Sequence, residues 1–257
     1  MAVHTYGLPA DLNPLLEIAA RHGIKLIEDA SQMQGQSYRK KPCGSFGDIS
    51  TFSFYPNKHV TTGEGGAMIT DRQDLLDLAI DVHDCAGSVR REAGLPQFAG
   101  WNFRASEIQG AIARVQLRRL DGLLERMRAG QAAVAERVAA LPGLRLRRAN
   151  DDGGDAGICL VAFAANAALA TEAVEALRAE GVLAMRIYDP GFVDLHVYPY
   201  WKPVLDAIAA EGRPAPHCPR TLELLERSIH VDLSPLNDEQ DLDETAFAFE
   251  KIAAGVL

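Results

Sequence analysis

The sequence predicts an α/β fold passing into a smaller α+β unit, and three observations carry that expectation. Helical and strand-like segments alternate over the first 125 residues, the rhythm of a sheet covered by helices. One helical signal then continues from Arg104 to Leu141, longer than an ordinary globular helix. Beyond a polar, glycine-rich stretch at 147–157, strands and helices resume in a different order. The expected division is residues 1–125 as a larger unit and 126–257 as a linking helix with a small unit.

The elements follow in order. "DLNPLLEIAARH" (11–22) reads as a helix with Asp11 or Asn13 near its start and Gly23 at its end. "IKLIEDA" (24–30) is a short buried strand running into two carboxylates, and "DISTFSFY" (48–55) alternates apolar and hydroxyl residues as a strand does. "GAMIT" (66–70) is a further strand and "RQDLLDLAIDVHDC" (72–85) a helix. The long helical signal is expected to bend or break near Gly122 or Gly130. Past the boundary candidate "RRANDDGGDAG" come strand "ICLVAFA", helix "LATEAVEALRAEG" and strand "VLAMRIY". A loop rich in His, Tyr and Trp leads to a helix near 220–227, strand "SIHVDL" and a terminal helix.

Composition narrows the partners. The chain has 257 residues, 47% hydrophobic and 24% charged, with a net charge of -9. That is ordinary globular composition, and its acidity argues against nucleic acid or an anionic membrane as main partner. Four dispersed cysteines without a CxxC pair suggest reduced thiols rather than a disulfide frame or zinc site, and no metal is expected. The N-terminus lacks a basic start followed by an apolar run, and no segment is apolar enough to span a bilayer. The expectation is a soluble, cytoplasmic protein.

Several possible chemistries fail on spacing. "GEGGAM" has Met68 where a dinucleotide fingerprint needs its third glycine, and Lys58 precedes the glycines instead of closing a P-loop. In "DVHDC", Asp81 and Cys85 share a helix face that His83 leaves, which reads as solvated surface. His230 and Asp232 alternate onto one strand face, but no nucleophile stands at a recognisable spacing, so a structural hydrogen bond is the better reading.

Lys58 is different. A lysine in a turn is commonly a solvated charge, yet Asp29 ends a buried strand where an acid is costly without a cationic partner. Ser53 lies five residues before Lys58, and glycines at 63, 65 and 66 permit a tight turn beside it. These are parts that pyridoxal-phosphate chemistry needs: an amine, an acid for the pyridine nitrogen and donors for a phosphate.

"LIEDASQMQG", "GSFGDISTFSFYPNKHVTTGEGGAMIT" and "GWNFRASEIQGAIARVQL" together resemble the sugar aminotransferases of the DegT/DnrJ/EryC1/StrS family in residue type, order and spacing, strongly over residues 2–142 and more loosely beyond. The resemblance implies a fold-type-I pyridoxal-5'-phosphate transferase. It would have a partial cofactor-binding large domain with a mixed, mostly parallel sheet, and a C-terminal α+β small domain. By position, Lys58 would be the Schiff-base lysine and proton shuttle, Asp29 the partner of the pyridine nitrogen, and Gln32 the contact on the ring's 3-hydroxyl side. Ser53 would bind the phosphate, and Asn102 would reach the phosphate of a neighbouring subunit. His196 and Tyr198, in "DLHVYPYW", would meet the sugar, with packing as the alternative for this aromatic loop. The implied reaction moves an amino group from glutamate or glutamine to a keto sugar, nucleotide-linked in the usual case.

The likeness begins near the family's fourth sheet strand, so the strand near Val3 is expected to lack neighbours within this chain and to leave a costly edge. A homodimer or a hetero-oligomer with a chain supplying the first strands is therefore expected, with truncation or loss of catalysis as the alternatives. Gln34 stands where the family often has His, and Asn57 and His59 vary the residues around the lysine. A catalytically idle partner subunit is the competing function. A dehydratase on the same scaffold is disfavoured, because such relatives carry histidine in place of the lysine.

Overall fold

In the computed structural model, residues 1–85, 99–151, 153–188 and 196–256 are described. The chain divides into two compact units, Met1–Arg126 with Ala149–Ala156, and Met127–Arg148 with Gly157–Leu257. The boundary stretch seen in the sequence is thus crossed twice, because 149–156 returns to the first unit. Asn150 Nδ2 donates to Pro9 O at 2.9 Å, and Ala156 N to Gly7 O at 3.0 Å, which ties it there.

The first unit is built on strands β1 (Ala2–Val3), β2 (Ile27–Asp29), β5 (Ile49–Ser53) and β6 (Gly66–Ile69), in the order β1-β2-β5-β6. β1, β2 and β5 run parallel and β6 antiparallel to β5. Between β2 and β5 lies the hairpin of β3 (Ser37–Tyr38) and β4 (Lys41–Pro42), which turns on Arg39 and Lys40, both at positive φ. Helix α1 (Leu12–His22) ends on Gly23 in the left-handed conformation. Asp11 stands at its start but makes no side-chain cap; its Oδ1 instead accepts the buried Tyr38 hydroxyl at 2.6 Å. Leu12, Leu26, Ala30, Met33 and Tyr38 form the core beneath the helix. Helix α2 (Gln73–His83) follows β6.

Helix α3 (Glu107–Ala139) runs 33 residues without interruption, so the break expected at Gly122 or Gly130 does not occur. A helical glycine keeps its amide and carbonyl and costs only about 1 kcal/mol relative to alanine, which neighbouring turns absorb. Gly130 serves packing: a Cβ there would stand 3.3 Å from two Leu242 methyl groups.

The second unit carries an antiparallel sheet in the order β7-β8-β10-β9, from β7 (Arg145–Leu146), β8 (Cys159–Phe163), β9 (Ala184–Met185) and β10 (Ser228–Asp232). Helices α4 (Ala167–Ala179), α5 (Lys202–Ala210), α6 (Pro219–Glu226) and α7 (Glu239–Gly255) complete it. The strand expected over "VLAMRIY" shrinks to the pair Ala184–Met185. Val134, Val138, Leu160, Leu177, Ile229 and Phe249 are among the residues of one buried cluster. A reciprocal capping box between Asp238 and Asp241 starts α7. Among the described residues, no helix is long and apolar enough to cross a membrane, and no three His, Cys, Asp or Glu side chains converge as a metal site.

Candidate active site

Two neighbouring parallel strands end side by side. Asp29, the last residue of β2, pairs with Thr51 of β5, and Ala30 N donates to Thr51 O at 2.9 Å. Beyond the carboxyl ends of parallel strands the chain turns away and leaves room for a ligand. Ser31–Gln34 leave β2 there, and Phe54–Gly65 leave β5, which places Asp29, Gln32, Ser53 and Lys58 on or just past one sheet end.

The loop bearing Lys58 is closed by its own backbone. Phe54 N donates to Gly65 O at 2.9 Å, Thr62 N to Phe54 O at 3.0 Å, and Lys58 N to Tyr55 O at 3.0 Å. Gly65 has φ +146, a conformation L side chains rarely adopt, and its missing Cβ would stand 2.8 Å from Thr62 Oγ1. From α3, Gln109 Nε2 reaches Glu64 O at 2.8 Å and steadies the far side.

Lys58 is half-buried. Removal from water pushes its amine below the ordinary lysine range, and the negative charge of Asp29 partly opposes that fall. Asp29 is itself oriented, its Oδ1 accepting Ser31 N at 3.0 Å. Gln32 Oε1 accepts Tyr6 N at 2.6 Å, so the end of Gln32 left to meet a ligand is its NH2 group. Ser53 Oγ accepts Tyr55 N at 3.3 Å.

Asn102 is exposed, and its bond is with Arg104, whose Nε donates to Asn102 Oδ1 at 3.0 Å, rather than with any of these four residues. Its segment runs antiparallel along the end of α2, with Phe103 N donating to His83 O at 2.8 Å. His196 and Tyr198 belong to the second unit. Tyr198 Oη accepts Cys218 N at 3.1 Å, and Tyr188 packs on Tyr200 with ring centroids 5.8 Å apart, which fits the packing role weighed for this loop. Asp189 to Leu195, the stretch that leads into this loop, lie outside the described residues. His230 has structural partners within its own sheet. Ser228 Oγ donates to Leu225 O, so His230 Nε2 donates to Ser228 Oγ at 3.1 Å and Nδ1 faces Cys159 Sγ at 3.8 Å, all within a buried sheet.

The sequence marks Gln34 and His59 only as departures from the family pattern and assigns neither a role. Gln34 is buried and bonded to Ser31, Ser53 and His59. Burial, with the adjacent Lys58 charge, pushes His59 down to about 4. The signal available in the sequence was spacing alone: Gln34 lies five residues beyond Asp29 and His59 directly after Lys58.

The chain is similar to known proteins in both sequence and fold. The chain is 43% identical over 121 residues to GDP-perosamine synthase of Caulobacter vibrioides, a match covering 47% of this chain and 32% of that protein. It is 32% identical to L-glutamine:2-deoxy-scyllo-inosose aminotransferase of Micromonospora echinospora, over 99% of this chain and 64% of the other. The chain therefore spans between about a third and two thirds of the length of these relatives. The crystal structure of S. venezuelae DesV superposes with a TM-score of 0.81 at 29% identity, over 99% of this chain and 65% of that one. The fold-type-I transferase architecture expected from the sequence, with its mixed and mostly parallel sheet, is borne out. The sequence model of the DegT/DnrJ/EryC1/StrS aminotransferase family matches residues 1–249, from the first strand into the terminal helix, and with the two strand ends that gather Asp29 and Lys58 it shows that the chain belongs to that family.

Proposed function

We propose that this chain is a subunit of a pyridoxal-phosphate-dependent sugar aminotransferase, transferring an amino group from glutamate or glutamine to a keto sugar, in the nucleotide-linked form. One observation carries the reading: a half-buried lysine, its amine shifted toward the neutral form, sits within electrostatic reach of a carboxylate at the end of the neighbouring parallel strand. The donor set fits the cofactor. Lys58 offers an amine for a covalent bond, Asp29 a carboxylate for a pyridinium, Gln32 an amide NH2 and Ser53 a hydroxyl.

When bound, pyridoxal phosphate supplies an electron sink that makes the proton on the carbon bearing the substrate's amine removable. Lys58 would hold the cofactor through its Nζ, and the same amine would carry that proton, a role its depressed pKa favours. Asp29, held by Ser31 N, would keep the cofactor's ring nitrogen protonated. Asn102 acts toward a cofactor in another subunit, and His196 and Tyr198 are the substrate-side candidates. The substrate class draws support from the relatives' names, which include a GDP-sugar synthase and an L-glutamine-dependent aminotransferase.

The working form is an oligomer, either a homodimer or a hetero-oligomer with a chain that supplies further strands. Trp101 (67% exposed), Phe103 (66%) and Ile108 (74%) continue into Ile112 and Val115 at helical spacing, an apolar stripe suited to a protein partner. β1 ends the sheet among the described residues with Val3 exposed. The cytoplasm is the proposed compartment, in keeping with four unpaired cysteines.

The test is an absorbance scan with pyridoxal phosphate, for the chain alone and with any co-encoded homologue. A visible band that Lys58→Ala removes is the expected result. A band that survives the substitution rejects the lysine assignment, and no band in either sample leaves the idle partner subunit as the better reading.

A further inference from the structure

One side chain joins three segments around Lys58: the turn after Asp29, the end of β5 and the lysine loop itself. Gln34 Nε2 donates to Ser53 O at 2.6 Å and to Ser31 O at 3.2 Å, while Gln34 Oε1 meets His59 Nδ1 at 3.1 Å. Ser31 belongs to the turn that follows Asp29, Ser53 is the last residue of β5, and His59 follows Lys58. We infer that Gln34 is the positioning residue for Lys58, clamping the end of β5 and the lysine loop to the Asp29 turn through its own amide and the His59 ring. The inference rests on the aminotransferase reading for its purpose, though not for its geometry.

The chemistry of the contacts leaves one arrangement. Carbonyl oxygens only accept, so the Gln34 atom facing Ser31 and Ser53 must be its NH2, and the atom facing His59 its oxygen. Reversing the amide would set two oxygens 2.6 Å apart at Ser53. His59 Nδ1 therefore carries the hydrogen, and Nε2 is the bare nitrogen. Nε2 is enclosed and has no hydrogen-bond partner among the described residues, so the bond to Gln34 is what orients the ring. Burial beside Lys58 holds the ring neutral. The three contacts also explain the residue type. An imidazole at position 34 offers two nitrogens, too few to donate to two carbonyls and accept from His59, whereas a glutamine amide does all three. Asp29 and His59 are the titratable groups in electrostatic contact with Lys58, so displacing the clamp alters how that amine is buried and charged.

Two readouts on the cofactor-free chain test this. Nitrogen NMR of the imidazoles reports the His59 tautomer, and the pH midpoint of acetic anhydride labelling at Lys58 reports its amine. Wild type is expected to show hydrogen on Nδ1. Gln34→Met and His59→Phe are each expected to move the Lys58 midpoint up by about one pH unit as the loop loosens into water. His59→Asn places an amide donor where Nδ1 stood and is expected to keep the wild-type midpoint. If Gln34→Met does not fold, the His59→Phe and His59→Asn pair decides. A wild-type tautomer with hydrogen on Nε2, an unmoved midpoint in His59→Phe, or a His59→Asn midpoint equal to that of His59→Phe overturns the proposal. If these readouts behave as expected while pyridoxal phosphate gives no visible band, the clamp stands and the aminotransferase reading falls.

Discussion

Asp29 and Lys58 act on each other in opposition to burial: the carboxylate favours the protonated amine, desolvation favours the neutral one, and desolvation prevails. That balance sets the first prediction. Asp29→Asn keeps an oxygen to accept Ser31 N, as Asp29 Oδ1 does at 3.0 Å, but removes the charge. With only burial left, the Lys58 labelling midpoint is expected to fall by about one pH unit. A rise would show that the carboxylate does not act on the amine.

The His59 ring supplies a pH dependence of stability. Its pKa falls from 6.5 to about 4 on folding, so the folded state favours the neutral ring. A depressed histidine leaves stability intact above pH 6.5 and withdraws it as pH drops from there toward 4, because the unfolded chain binds the proton first. The loss amounts to about 3 kcal/mol when complete. Urea midpoints at pH 7 and pH 4 check this: wild type should lose more than His59→Phe, which has no ring to protonate. Equal losses would assign the acid sensitivity to other groups.

The parts legible in the sequence are those set by local chemistry. Gly23 stopped α1 where a left-handed residue was needed, and the apolar run at 159–163 became the buried strand β8. Asp29 and Lys58 could be singled out as candidates because their residue types and strand positions match one chemistry. What escaped depends on distant contacts. The turn at Arg39–Lys40 uses two positive-φ residues where Asn-Gly is the usual signal, and nothing local marks it. Gln34 gained its role only once β5 lay beside β2 and brought Ser53 and His59 to it. The return of 149–156 to the first unit depends on Pro9 and Gly7, far away in the chain. Gly122 and Gly130 resembled breaks, because propensity is a weak prior that helical context overrides.

The four thiols should divide evenly. Burial pushes Cys43 and Cys159 up to about 12, while Cys85 and Cys218 are exposed. Reaction needs an accessible thiolate, so a disulfide reagent at pH 8 is expected to modify Cys85 and Cys218 in the native protein. Cys43 and Cys159 should follow only on unfolding in denaturant. Native labelling of Cys159, located by peptide mass, would mean that the sheet holding it opens readily.

Three glycine substitutions separate helix propensity from packing and backbone strain. Gly122 lies inside α3 with only the end of the Arg126 side chain near the place of a Cβ, at 3.8 Å. Gly122→Ala is therefore expected to stabilise by about 0.5–1 kcal/mol through the restricted unfolded chain. At Gly130 the same gain is offset, because the new methyl meets Leu242 carbons at 3.3 Å, and the net change should be close to nil. Gly157 adopts φ +75, and a Cβ there would stand 2.5 Å from the Met127 backbone, which cannot swing aside as a side chain can. Gly157→Ala should cost at least about 1–3 kcal/mol from the backbone conformation alone. Denaturant midpoints of the three variants should therefore rise at 122, hold at 130 and fall at 157. A fall at Gly122→Ala would mean that α3 is bent there in solution after all.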